Sequence, residues 1–289
     1  MHRNKEPQED KGYFTFAQNT PDVNYIEIAY LQALSIKATQ KINSYAIATD
    51  YESSLAIPDE MREVFDHIII LDEDDAKDEN WKLENEWKAW MLTPYKETVK
   101  LDADILFTRN IDHWWKILQK KDICCTVNIR DIANNISTAD RYRKLHKVNN
   151  LPNVYSGFTY FRYTELSKQF FEYVRGVFLN WPVFRDRVLK DCRHEKANTD
   201  EAYAIAAMLV GEENCYNSAN DIPSFIHMKG AIQGWPDTDW TKHAYAQLDD
   251  EANLTVGFNR LLYPFHYVSK DFATGDLIEQ YRSIIRSVS

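Results

Sequence analysis

Three acidic pairs of the form Asp-x-Asp occur in the chain: Asp72-Glu73-Asp74, Asp102-Ala103-Asp104 and Asp237-Thr238-Asp239. In an extended segment, residues two apart face the same side. Two such carboxylates offer hard oxygen ligands to Mg²⁺ or Mn²⁺ and leave coordination positions open for a diphosphate. Context separates the three pairs. The first follows a strand but runs on into Asp75, Asp78 and Glu79, the pattern of a solvated acidic loop, and the third lies between tryptophans with no strand before it. Only Asp102 and Asp104 are enclosed by apolar residues on both sides, and they are the candidate metal ligands. Strand-end capping or ordinary salt bridging is the competing reading of the pair taken alone.

Composition points the same way. The 289 residues contain only 8 glycines, against a usual share of about 7%, and neither G-x-x-x-x-G-K-[ST] nor G-x-G-x-x-G occurs. Backbone N–H groups close around phosphates through such loops, so a phosphate-handling site here needs metal and carboxylates instead. The net charge of -10 repels nucleic acid and anionic membrane. A local exception is the cluster Arg130, Arg141, Arg143, Lys144 and Lys147, which reads chiefly as a solvated surface helix, with an anionic acceptor as the alternative. Cys124, Cys125, Cys192 and Cys215 contain no C-x-x-C pair and read as reduced core thiols. The polar first ten residues and the lack of an apolar run of membrane-spanning length leave a cytoplasmic enzyme or binding protein.

Elements that position these residues follow from local pattern. Gly12 to Ala17, Ser44 to Ala48, His67 to Leu71, Thr98 to Leu101, Ile123 to Val127 and Tyr155 to Arg162 read as strands. Helices are expected from Tyr25 to Lys37, opened by Thr20-Pro21-Asp22, then over Asp78–Leu92, Thr164–Val177, Asp200–Leu209 and Asp271–Ser289. Arg130 to Asn150 reads as a loop with a helix inside it. Strands alternating with helices predict an α/β fold with a mostly parallel sheet and a C-terminal helix. One domain spans 1–289, with 1–10 flexible and 240–289 an extension packing on it.

The segment from Lys100 to Ile105, followed by Asn110-Ile111-Asp112-His113-Trp114-Trp115, resembles the signature of GT-A nucleotide-sugar glycosyltransferases. It is most similar to the retaining glycogenin and galactosyltransferase group, family eight; glycosyltransferase-like proteins of tailed bacteriophages are similar in style. The resemblance runs from about residue 11 to 236. It implies a Rossmann-like three-layer α/β/α fold, Mn²⁺ or Mg²⁺ as cofactor, and a nucleotide-sugar donor, a UDP-hexose, transferred with retention of configuration.

By the same resemblance, Phe16, Ala17, Gln18, Asn19, Tyr25 and Ala103 contact the nucleotide, and Tyr155, Ser156, Gly157 and Asp200 the sugar, with Tyr155 and Asp200 in catalytic roles. His227 completes the metal site with Asp102 and Asp104, while Lys229, Gly230 and Gln233 approach the phosphates. His266 reads as structural. Departures are Glu86, where the family commonly has lysine, Tyr155 for asparagine, Glu201 for glutamine and Gln233-Gly234 for Lys-Pro. The acceptor stays open among a carbohydrate, a protein and a modified DNA base, as does oligomeric state. A glycan- or sugar-nucleotide-binding protein without catalysis is the non-enzymatic alternative.

Overall fold

Strands buried on both faces require helices on both sides of their sheet, and the chain folds that way. The computed structural model describes residues 6–77, 82–127, 129–132, 143–216, 224–228, 241 and 244–288. Its strands are β1 Glu9–Phe16, β2 Tyr45–Thr49, β3 His67–Ile70, β4 Tyr95–Leu101, β5 Ile105–Leu106, β6 Ile123–Val127, β7 Val154–Arg162, β8 Ile226–His227, β9 Ala246–Leu248, β10 Leu254–Val256, β11 Asn259–Arg260 and β12 Phe265–His266. Its helices are α1 Tyr25–Thr39, α2 Tyr51–Leu55, α3 Asp59–Arg62, α4 Ala89–Leu92, α5 Trp114–Leu118, α6 Lys144–Asn149, α7 Glu165–Leu179, α8 Trp181–Val183, α9 Thr199–Val210 and α10 Gly275–Val288.

The central sheet has the order β3-β2-β1-β4-β7-β6. β1 pairs in parallel with β2 and β4, β2 in parallel with β3, and β7 runs antiparallel to both β4 and β6. Alternation along β1 sends Tyr13 to one face, with Ile28, Leu31, Leu277 and Tyr281, and Phe14 to the other, with Phe170, Val174 and Tyr203. Thus α1 and α10 cover one face while α7 and α9 cover the other. Chain direction across the sheet reverses between β1 and β4, and ligands bind in such α/β sheets in the crevice outside the strand ends at that switch point. The Asp102-Ala103-Asp104 segment leaves β4 at that crevice, opposite the Phe16–Asn19 exit of β1.

A small second sheet, β5-β12-β8, draws the C-terminal part of the chain onto the same edge. His266 of β12 is in register with Ile105 on one side and His227 on the other.

Three local expectations are corrected. Helix α1 starts at Tyr25, but Asn24 and not Thr20 caps it, accepting from Glu27 N at 3.2 Å, while Asn19 Oδ1 accepts from Ile26 N at 3.0 Å. The expected helix up to Leu92 is, from Lys82 to Lys88, a 3₁₀ helix leading into α4. Residues three apart line up on that tighter spiral, and buried Lys88 donates to Asn85 Oδ1 at 2.8 Å. Asp102-Ala103-Asp104 forms a turn, not a strand end in extended form, since the chain must reverse to let β5 pair with β12. At the other end, Glu9 and Asp10 already belong to β1, which places them in the sheet.

Candidate active site

A buried amide braces the acidic turn. Gln32, in the middle of α1, donates to the carbonyls of Asp102 at 2.7 Å and Ile105 at 2.8 Å, and its own oxygen accepts from Thr15 and Tyr45 at 2.6 and 2.7 Å. Asp102 N donates to Gly157 O at 2.8 Å, tying the turn to β7. A Cβ on Gly157 would lie 2.8 Å from Asp102 Oδ2, so a side chain there would displace this carboxylate from its present position.

The two carboxylates differ. Asp104 has a side chain only 8% exposed; its Oδ1 lies 3.0 Å from His266 Nε2, and its Oδ2 accepts from Lys270 Nζ. Burial alone would raise this carboxyl, but His266 and Lys270 hold it well below the usual carboxylate range. Asp102, 31% exposed, has Lys100 Nζ 3.3 Å from Oδ1. One ligand atom each from Asp102, Asp104 and His266 lie within 4.8 Å of one another, and His266 Nδ1 is buried with no hydrogen-bond partner among the described residues. Two carboxylates and an imidazole form a donor set that fits Mn²⁺ or Mg²⁺.

The histidine in that cluster is His266, not His227. Both stand on the small sheet with ring centroids 5.0 Å apart, but β12 lies between β8 and β5 and so places its own histidine next to Asp104. His227 instead faces Tyr155, ring centroids 5.7 Å apart. Lys229, Gly230 and Gln233 lie outside the described residues, as do Trp235, the third acidic pair and Arg141.

Beneath the acidic turn lies a buried charge network. Lys100, on β4, is 0% exposed; its ammonium pairs with Glu86 as well as Asp102 and lies 5.6 Å from the ring centre of Tyr203. Glu86 occupies the position where the resemblance leads one to expect lysine, and Lys100 supplies a positive charge from behind it. Burial pushes the Glu86 carboxyl up to about 7, with Lys100 opposing the shift. A carboxyl held protonated more firmly in the folded state favours folding less as pH rises from its unfolded pKa to its folded one. Melting of the protein in EDTA is therefore expected to show a loss of stability between about pH 5 and 7 that Glu86→Gln removes; equal slopes for the two proteins would refute the assignment.

Two adjoining cavities open around the turn. One, of about 220 Å³, is lined by Phe16, Gln18, Tyr25, Ala103, Asp104 and Lys270 among others; the second, of about 180 Å³, by Tyr155, Ser156, Gly157, Thr199, Asp200 and His227 among others. Leu83, Asp102 and His266 line both. A larger cavity of about 340 Å³, around Trp87, Trp90 and Arg175, lies away from this chemistry. Size alone is the wrong guide here, because that space holds none of the candidate ligands.

Within the first cavity, the rings of Phe16 and Tyr25 are only half-buried. Gln18 and Asn19 are engaged in bracing: Gln18 Nε2 donates to Asp74 at 2.9 Å, and Asn19 N donates to Ser53 Oγ at 2.8 Å. Ala17 N bonds to Ala48 O at 2.9 Å, and neither Ala17 nor Asn19 lines the cavity. Asp74, expected in a solvated loop, accepts from both Gln18 and Asn85, the latter at 2.6 Å.

In the second cavity, Asp200 stands in the first turn of α9. The helix cap is Asn198, which accepts from Glu201 N at 2.9 Å, so Asp200 is released from capping. Its Oδ1 accepts from Ser156 N at 2.8 Å and Ser156 Oγ at 3.0 Å, and its Oδ2 accepts from Arg143 at 2.8 Å. Burial would raise this carboxyl, yet Arg143 and Ser156 bring it below its ordinary value. Arg143 also lies over the Tyr155 ring, 3.5 Å from its centre. It is thus a buried site residue and no part of a solvated basic face, whereas Lys144 and Lys147 are exposed. Gln32, Lys100, Arg143, His266 and Lys270 were not among the site residues expected from sequence; Lys100, beside the acidic pair, and Arg143, in the basic cluster, carried local signals.

No family model matches the chain, and no curated protein matches it by sequence. Solved structures do. The galactosyltransferase LgtC, in complex with donor and acceptor sugar analogues, superposes with a TM-score of 0.52 at 13% identity, covering 96% of this chain and 95% of LgtC. An active-site mutant of LgtC gives 0.53 at 12% identity with the same coverage. The bifunctional glycosyltransferase WbbM gives 0.51 at 10% identity over 98% of this chain and 51% of that protein. The fold is the GT-A fold of glycosyltransferases. Among the described residues no helix is long and apolar enough to cross a membrane.

Proposed function

We propose that the protein is a glycosyltransferase that moves a sugar, a hexose by resemblance, from a UDP-sugar to an acceptor hydroxyl with retention of configuration. The observation that carries this reading is the pair of adjoining cavities sharing Asp102 and His266 at the switch point of the sheet. One suits a nucleoside diphosphate and the other a sugar, with the bond between them lying beside the candidate metal ligands.

Asp102, Asp104 and His266 would hold the ion, with His227 behind them. A divalent ion there supplies Lewis-acid neutralisation of the charge that develops on the leaving phosphate. The rings of Phe16 and Tyr25 offer stacking faces to the base. Asp200, oriented by Ser156 and Arg143, presents fixed negative charge to the sugar as it gains positive character. Front-face attack, with the acceptor proton passing to the departing phosphate, requires no separate protein base. The charge of -10 and the commitment of Arg143 to Asp200 favour a carbohydrate or protein acceptor over a DNA base, and a cytoplasmic setting accords with the reduced-thiol reading of the cysteines.

Thermal melting with UDP, GDP and UDP-sugars, with and without Mn²⁺, tests the reading. UDP and UDP-sugars are expected to raise Tm only when Mn²⁺ or Mg²⁺ is present, by mass action on the folded state, and mass spectrometry of the products is expected to reveal released or transferred hexose. Indifference to every nucleotide would overturn it.

A further inference from the structure

A nucleoside diphosphate that leaves the sugar gains a terminal phosphate charge beyond the two that one divalent ion cancels, so the cavity that receives it should present a further cation. Three lysines approach the acidic turn among the described residues. Lys82 is committed to the carbonyls of Ala76 and Lys77, both at 2.7 Å. Lys100 is 0% exposed and held by Glu86 and Asp102. Lys270 differs from both: it lines the nucleotide-sized cavity, its side chain is 30% exposed, its ammonium bonds Asp104, and it lies 5.3 Å from the ring centre of Tyr25.

We infer that Lys270 serves two partners in turn. Resting on Asp104, it is the counter-cation of that carboxylate and competes with a divalent ion for the same oxygens. Once an ion takes Asp104, like-charge repulsion expels the ammonium, and its flexible four-carbon stem carries it to the diphosphate that the ion has brought into the cavity. Lys270 is then a nucleotide-binding residue supplied from beyond β12, in the 3₁₀ turn Lys270–Phe272. The inference rests on the donor-binding reading above and adds to it a residue and an order of events.

Its signature is a pair of effects of opposite sign. Isothermal titration of the full chain with Mn²⁺ alone is expected to show tighter binding by several-fold in Lys270→Met than in the unaltered protein. Titration with UDP at saturating Mn²⁺ is expected to show binding weaker by about tenfold, the loss typical of a charge-assisted contact. Lys270→Arg keeps a cation and is expected to retain most of the UDP affinity, and melting curves establish that both variants are folded. Unchanged UDP affinity in Lys270→Met, or Mn²⁺ and UDP affinities falling together, overturns the inference while leaving UDP binding by the unaltered protein intact. If the unaltered protein binds neither UDP nor GDP with any metal, the donor-site reading falls as well.

Discussion

Asp104→Ala is expected to lower metal-dependent hydrolysis of a UDP-sugar by at least about 10²- to 10³-fold in kcat/KM, the scale of removing one preorganised electrostatic contributor to a transition state. The reason is geometric. Asp104 is the more enclosed of the two carboxylates, and its oxygens already meet His266 and Lys270. Without it the cluster loses both a ligand and the group around which the other two are arranged. Asp104→Asn keeps the shape and one of the two acceptor oxygens but not the charge, so a loss shared by both variants assigns the effect to the carboxylate and not to lost volume. Stability is expected to fall as well, because His266 loses its buried anion; the partly exposed Lys270 contributes little to that loss. Melting and Mn²⁺ titration separate the two effects. Full metal-dependent turnover in a folded Asp104→Ala protein would remove this carboxylate from the mechanism.

Lys100→Met should produce the largest loss of stability, about 3–5 kcal/mol, typical of removing one partner from a buried ion pair. In a chain of this length that corresponds to a fall in Tm of roughly 5–8 °C. Lys100 lies within a central strand, flanked by Glu86 and Asp102, and its removal leaves Glu86, whose side chain is only 7% exposed, without a counter-charge. The double variant Lys100→Met/Glu86→Gln is expected to recover more than half of the loss, since a neutral pair of similar volume carries little of the desolvation cost. A Lys100→Met protein melting within a degree or two of the unaltered one, or a double variant no more stable than the single, would show that the network is not under electrostatic load.

Much of the fold was legible because it depends on local pattern. Strands β2, β3 and β6 lie within a residue of their expected bounds, since continuous apolar runs have few other solutions. The cap of α1 was misplaced, because two asparagines, Asn19 and Asn24, serve its first turn in place of the Thr20-Pro21-Asp22 segment. A 3₁₀ helix replaced an α-helix at Lys82–Lys88, where Asn85 and Lys88 bond to the preceding Glu73–Asp75 loop, and no helical period records such bonds.

The sequence by itself determined that Asp102 and Asp104 would stand together at the end of an apolar strand in an α/β chain short of glycine, because spacing and composition are local quantities. Tertiary structure alone decided what meets them. Lys100 faces Glu86 because β4 runs past the 3₁₀ helix, Arg143 faces Asp200 because α6 reaches the start of α9, and His266 reaches Asp104 because β12 pairs with β5 across 160 residues of chain. Such encounters are fixed by sheet order and by the burial that stabilises it, so a histidine that reads as structural in sequence becomes the one beside the carboxylates.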